Sequence, residues 1–215
     1  MGSKVNPHSI RLKINKTWNS RWFGKQSYLD SFLNDLKIKS LLKEKLKEAS
    51  VSEVIIKRDA NKVAVNIFSG RPGVIIGRGG SGVEDLKKML EKETNNRVQV
   101  NIVPVKKPDI DAAIIAQNIA FQIEKRIPFK RAVKQTLDKA KAAGVKGIKI
   151  TVAGRLNGID IARRETFNHG TVPLSTFSSD IDYKNVTALT TYGIIGVKVW
   201  VYNGQRLLTE EDLIA

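Results

Sequence analysis

A chain of 215 residues can bury one or two hydrophobic cores, and a 41% share of hydrophobic residues marks it as folded rather than disordered. Its 37 Lys+Arg against 21 Asp+Glu leave a formal charge of +16 and a pI near 10.0. Self-repulsion on that scale works against compactness, and its usual counterpart is a polyanion. The absence of cysteine excludes disulfides and thiolate metal sites and fits a reducing compartment. No apolar run approaches the ~18 residues that cross a bilayer, and the N-terminus lacks the apolar segment of a secretory signal. A membrane surface is a poor partner too, because no basic amphipathic helix carries a bulky apolar face. Nucleic acid is the better one.

In chain order, residues 1–16 read as a basic extended arm, punctuated by Asn6-Pro7 and unsupported by a core until it meets a partner. Trp18, Trp22 and Phe23 follow beside Arg21, placed equally well to stack on a base or to fold back. Over residues 27–48 the spacing of Tyr28/Leu29, Phe32/Leu33, Leu36, Leu41/Leu42 and Leu46 predicts a helix, with Ser27 and Asp30 as a capping pair. Residues 52–58 and 62–68 read as strands joined by a turn at Asp59-Ala60-Asn61. In the second, Val63, Val65 and Ile67 alternate with Lys62, Ala64 and Asn66. Residues 83–92 are spaced for a helix and 97–103 alternate as a strand.

Between them lies SGRPGVIIGRGGSG, residues 69–82, with six of the chain's 16 glycines. Gly77, Gly79 and Gly82 spell the dinucleotide fingerprint G-x-G-x-x-G, and Gly77 and Gly80 spell the G-x-x-G of a KH-type RNA-binding module. The dinucleotide reading needs a strand running into the first glycine, a parallel βαβ unit and an acid at the end of the next strand. That strand ends instead in Asn101-Ile102-Val103-Pro104, and the elements before the loop form an antiparallel hairpin. A cofactor-dependent oxidoreductase is therefore disfavoured. The KH reading needs a short helix into the loop and a second helix out of it, beside a three-stranded sheet, and the order α-β-β-α-α-β supplies this. Arg71 and Arg78 flank glycines (Gly77, Gly79, Gly80) whose bare backbone can approach phosphates.

Pro104 and Pro108 bracket a linker, after which Asp109 and Asp111 open an alanine- and isoleucine-rich helix that Pro128 stops. Residues 129–143 form a second helix. Phe129, Ala132/Val133, Thr136/Leu137 and Ala140 make its buried stripe, while Lys130, Arg131 and Lys134 project away. Nine basic residues and one acid, Asp138, fall in 125–149. Such a run is either a solvated face or a phosphate track. From Gly147 onward the chain reads as strands over GIKITVAG, TFNHGTVPL and VTALTTY-GIIGVKVWVY, with a short helix at GIDIARRET. Asp180 and Asp182 read as a solvated strand edge. His8 and His169 lie in no metal-ligand spacing, and neither a G-x-S-x-G elbow nor a P-loop occurs, so no catalytic residue, metal or cofactor is expected.

GSKVNPHSIRLKI at 2–14, RPGVIIGRGG at 71–80, KGIKITVAGRLNGIDIARRE at 146–165 and DIDYKNVTALTTYGIIGVKVWVY at 180–202 resemble the bacterial-type small ribosomal subunit protein S-three family. The resemblance implies an α+β fold in three parts: a basic arm (1–16), a type II KH domain (17–107) and a C-terminal α/β domain with a mainly antiparallel sheet (108–215). It implies a cytoplasmic, non-enzymatic component of the small-subunit head that binds ribosomal RNA and contacts the neighbouring ribosomal proteins S-ten and S-fourteen. It also implies that Lys130, Arg131 and Lys134 grip mRNA where it enters the subunit and assist the opening of helical mRNA, that Arg71, Gly77, Arg78, Gly79 and Gly80 form an RNA-binding loop, and that Lys4, Arg11 and Lys13 touch ribosomal RNA. The chain departs from the family's pattern at Lys130, usually Arg, and at Arg78-Gly79, where two basic residues are usual. A free KH-type RNA-binding regulator is the alternative.

Overall fold

The computed structural model describes residues 4–23, 28–59, 62–94 and 96–206. Ser27, Ala60 and Asn61, expected at a helix cap and a turn, lie outside them. The chain divides into two compact units, Trp18–Lys106 and Met1–Thr17 with Lys107–Ala215.

In the first unit, helix α1 (Tyr28–Lys45) precedes strands β2 (Val51–Arg58) and β3 (Lys62–Ser69), helices α2 (Pro72–Ile76) and α3 (Ser81–Thr94), and strand β4 (Arg97–Pro104). A two-residue strand β1 (Ser20–Arg21) pairs parallel with β2, extending the expected three-stranded sheet to the order β1-β2-β3-β4. Strands β2 and β3 are antiparallel. Strands β3 and β4 are parallel, which obliges the chain to cross over through α2 and α3. The alternation expected in β3 holds: Val63, Val65 and Ile67 are buried with Ile38, Leu42, Ile56, Ile75, Leu90 and Val98. The apolar stripe of α1 is buried only in its second half. Tyr28, Leu29, Phe32, Leu33 and Leu36 are exposed, and the buried face carries Asp35 instead. That carboxylate is neutralised by Arg58, whose Nη2 lies 2.6 Å and Nε 2.7 Å from Oδ1, while Trp22 Nε1 donates to Oδ2 at 2.9 Å.

In the second unit, helices α4 (Ala112–Glu124) and α5 (Phe129–Ala142) precede strands β5 (Gly147–Gly154), β6 (Arg163–Gly170), β7 (Ser179–Thr190) and β8 (Gly193–Gln205). The sheet order is β6-β5-β8-β7 and every pairing is antiparallel. Asp111 caps α4, its Oδ1 accepting from the amides of Ala113 and Ile114. Both helices bury against one sheet face, where Ile119, Ile123, Phe129, Val133 and Leu137 meet Ile148, Ile150, Val152, Val197, Val199 and Val201.

Three sequence expectations are corrected here. GIDIARRET is not a helix: only Leu156–Gly158 makes a 3-10 turn, and Arg163 onward is strand, because pairing with β5 outweighs weak local helical spacing. That strand ends at Gly170, whose φ of 65° turns the chain before Pro173. The arm is not unsupported. It makes a 3-10 turn at Ser9–Arg11 and packs on its own unit through Arg11 and Asn15, both buried.

Candidate nucleic-acid interface

The glycine-rich loop is fixed at both ends. Ser69 Oγ donates to Ala49 O at 2.7 Å and accepts from Arg71 N at 3.0 Å, anchoring the chain before α2, which Pro72 starts. At the far end Ser81 Oγ donates to Arg78 O at 3.0 Å. Gly77, Gly79 and Gly80 have φ of 68°, 63° and 85°, values that side chains disfavour. Space beside the Cα atoms of Gly79 and Gly80 is open, so a ligand backbone can approach them. Gly82 plays a different part: a Cβ there would sit 2.5 Å from Ile75 O, so its bareness lets α3 pack against α2.

This separates the two glycine motifs. Parallel pairing of β3 and β4 across the loop does satisfy one dinucleotide requirement that the sequence argument held to be missing. What excludes that reading is α2, which stands between the strand end at Ser69 and Gly77, together with the packing role of Gly82.

Arg71 and Arg78 are exposed at the loop, and neither forms an ion pair among the described residues. Helix α3 leaves the loop along a groove of about 930 Å³ whose other wall is β4. Lys62, Lys87 and Arg97 line it with the apolar Val83 and Val100. Glu91, the acid of the groove, accepts from Val98 N at 3.3 Å. Sequence reasoning missed these three cations. The available signal was Lys87 lying one helical turn beyond Val83.

On α5 the expected stripe is buried, and Lys130, Arg131 and Lys134 are exposed. Positions 130 and 134 are one turn apart and 131 lies beside them, so the three charges share a face. Lys130 is restrained: its Nζ is 3.9 Å from Glu165 Oε2 on β6 and 5.9 Å from the Phe129 ring centroid. Arg131 and Lys134 form no ion pair among the described residues.

The arm divides its three expected RNA contacts. Lys4 and Lys13 are exposed. Arg11 is not an RNA-facing side chain: it is completely buried, its Nε donating to Ser179 O at 2.8 Å, Nη1 to Pro7 O at 3.1 Å, and Nη2 to Leu174 O and Thr176 O at 3.0 and 2.9 Å. Burial lowers its pKa, an effect that the Asp180 charge opposes. Asn15 Nδ2 donates to the same Ser179 carbonyl. Asp180 and Asp182 are likewise not a solvated edge. Lys16 Nζ lies 2.9 Å from Asp180 Oδ1, while Asp182 faces His8 Nε2 at 3.6 Å and accepts from Ala112 N at 2.9 Å. Burial alone would push the Asp182 pKa up, but the close approach of His8, the Lys16 charge and the Ala112 amide together hold it below the usual carboxylate range.

Among the described residues no three metal-capable side chains converge, and no helix is long and apolar enough to cross a membrane. A glycine loop between two helices, a basic groove and the order α-β-β-α-α-β define an RNA-binding protein of the KH class. Residues 37–110 match the KH domain family, and residues 119–201 match the family described as ribosomal protein S3, C-terminal domain. The chain is 51% identical to small ribosomal subunit protein uS3 of Lactobacillus delbrueckii subsp. bulgaricus, over 96% of this chain and 93% of that one. It is 50% identical to uS3 of Desulfitobacterium hafniense (96% and 94% covered) and 49% identical to uS3 of Thermodesulfovibrio yellowstonii (95% of each). The chain belongs to the uS3 family of ribosomal proteins, a structural family and not one of enzymes.

Proposed function

We propose that this chain is a cytoplasmic structural component of the small ribosomal subunit, holding ribosomal RNA at its KH loop and groove and holding incoming mRNA on α5. The observation that carries the mRNA part is the face of α5, where Lys130, Arg131 and Lys134 point outward opposite the buried stripe of Phe129, Ala132, Val133, Thr136, Leu137 and Ala140. Charges at this spacing match successive phosphates of an extended strand, and their gain comes from releasing condensed counterions. A face that holds single-stranded backbone favours the open form of a message over its hairpins, so no nucleotide need be hydrolysed. Lys130 supplies charge without the planar fork of Arg, and Glu165 restrains it, so Arg131 carries the directional contact.

At the KH loop the glycine backbone and the start of α3 receive phosphate, with Arg71 and Arg78 beside them and Lys62, Lys87 and Arg97 extending the track. Of the arm's cations, Lys4 and Lys13 face RNA. Contacts with S-ten and S-fourteen belong to the same reading, and the exposed apolar half of α1, where Tyr28 stacks on Phe32 at 6.2 Å, supports a protein neighbour.

Replacing Lys130, Arg131 and Lys134 by Ala is expected to slow translation of structured messages more than of unstructured ones. Equal slowing of both would sink the mRNA role. Sedimentation after a high-salt wash tests the ribosomal assignment. The chain should migrate with small subunits, whereas a free KH regulator would stay near the top of the gradient.

A further inference from the structure

The sheet face of the second unit that points away from α4 and α5 carries a cation cluster that neither the KH loop nor the α5 face includes. Cross-strand pairing sets Asn168, Lys149, Trp200 and Tyr183 in one row, and Thr166, Thr151, Lys198 and Asn185 in the next. Alternation sends all eight to this face, because Ile148, Ile150, Val199 and Val201 point into the helical layer. Lys149 Nζ lies 5.8 Å from the centroid of the buried Trp200 ring. Lys4 reaches the same ring from the arm, its Nζ at 6.0 Å. Lys198 is the diagonal neighbour of Lys149 and is exposed.

Two ammonium groups over one indole repel each other, yet the arm holds Lys4 there. Four anchors fix its path, Arg11, Asn15, His8 and Lys16. No carboxylate among the described residues pairs with Lys4, Lys149 or Lys198. The Lys149 ammonium is held below its ordinary pKa, first by its contact with Lys4 and then by burial. The fold thus builds a positive site over an aromatic floor and leaves the balancing charge to be supplied from outside.

We propose that Lys4 and Lys149, seated over Trp200 with Lys198 beside them, form a phosphodiester-binding site for folded RNA, separate from the KH loop and from the α5 face. The site rests on the RNA reading above for the identity of its polyanion. An anion between the two ammoniums turns their repulsion into attraction, and the Asn168 amide and the Tyr183 hydroxyl in the same row add donors for its oxygens.

The test uses the full chain and a transcript of the small-subunit ribosomal RNA head, with binding measured from 50 to 300 mM salt. The double variant Lys4→Gln and Lys149→Gln should lower the slope of log affinity against log salt by about 0.9, the value for one phosphate contact. Lys149→Arg, which keeps the charge, should leave the slope near wild type. It also serves as the control for folding, since it sits at the same sheet position. An unchanged slope in the double variant overturns the site while the RNA reading stands. Failure of the wild-type chain to bind the transcript overturns both. Displacement of the transcript by millimolar inorganic phosphate would mark a small-anion site and overturn the RNA assignment.

Discussion

The arm and helix α5 draw on the same residue types and use them in opposite ways. Arg11 is enclosed, its guanidinium shared among the carbonyls of Pro7, Leu174, Thr176 and Ser179. Arg131 stands exposed on a helix whose other face is apolar. The formal charge of +16 counts both equally. What separates them is whether a set of otherwise unpaired backbone oxygens is waiting. An irregular segment such as 171–178 leaves carbonyls without ladder partners, and a five-donor fork can satisfy several at once. Arg11→Ala should therefore give the largest stability loss of any single change considered, about 3 kcal/mol or more for the unit that holds the arm. Urea unfolding followed at that unit's Trp200 checks it. Arg11→Lys should recover little, since an ammonium cannot span the same carbonyls. A loss below about 1 kcal/mol in the Ala variant would mean that the arm is held by its other contacts, and the contrast with α5 would dissolve.

The glycine loop offers the same contrast within fourteen residues. Gly82 is bare because the Ile75 carbonyl presses on it, while Gly80 is bare because its φ of 85° requires it and the space beside it is open. Gly82→Ala should cost about 2 kcal/mol through displacement of α3 from α2. Gly80→Ala should cost about 1 kcal/mol through backbone strain alone, while placing a methyl group where a phosphate would approach. Stability and RNA affinity measured on both variants should thus rank them in opposite orders relative to their structural cost. If Gly80→Ala binds RNA like wild type, the loop is a turn and not a clamp.

How much of this was legible depended on how far each contact reaches along the chain. The alternation of Val63, Val65 and Ile67, the G-x-x-G loop with its flanking helices and the buried stripe of α5 are local patterns, and each stands where the sequence placed it. Docking of the arm was illegible because Arg11 and Asn15 find their partners more than 160 residues away. The strand at Arg163–Gly170 was misread in part as helix because its edge position leaves it mostly exposed, so it lacks a buried alternation and only pairing with β5 defines it. The groove cations Lys62, Lys87 and Arg97 come from three elements, and only the crossover connection brings them together. Resemblance to the family supplied the expected mRNA contacts of Lys130, Arg131 and Lys134, which composition alone leaves as either a solvated face or a track.

A smaller effect tests the arm's acidic anchor. Asp182 titrates below the usual carboxylate range when folded: burial raises it, and the close approach of His8, the Lys16 charge and the Ala112 amide outweigh that burial. A carboxyl whose folded pKa lies below its unfolded value contributes stability that is complete above the unfolded pKa, near 4, and is lost as pH falls through the folded one. Asp182→Asn should therefore be less stable than wild type at pH 6, and the gap should close as pH falls below about 4. Chemical unfolding at stepped pH gives the comparison. A gap that is constant down to pH 3 would assign Asp182 a purely steric role.

The smallest effect on stability, and the one that best defines α5, belongs to Lys130→Ala, Arg131→Ala and Lys134→Ala combined. All three side chains are exposed and, among the described residues, only Lys130 has an ionic partner, at 3.9 Å, in a pair too exposed to stabilise much. Removing adjacent like charges relieves repulsion, and Ala is the best helix former. The net change in unfolding free energy should stay within about 0.5 kcal/mol. Binding to a single-stranded RNA should nevertheless lose roughly 2 units of salt dependence, from three phosphate contacts at about 0.7 each. Arg11→Ala should do the reverse, costing stability while leaving the salt slope of any arm-independent RNA contact intact. A triple variant that unfolds easily, or that keeps its salt slope, would place these residues with Arg11 as structural cations and remove the physical basis for an mRNA-holding face.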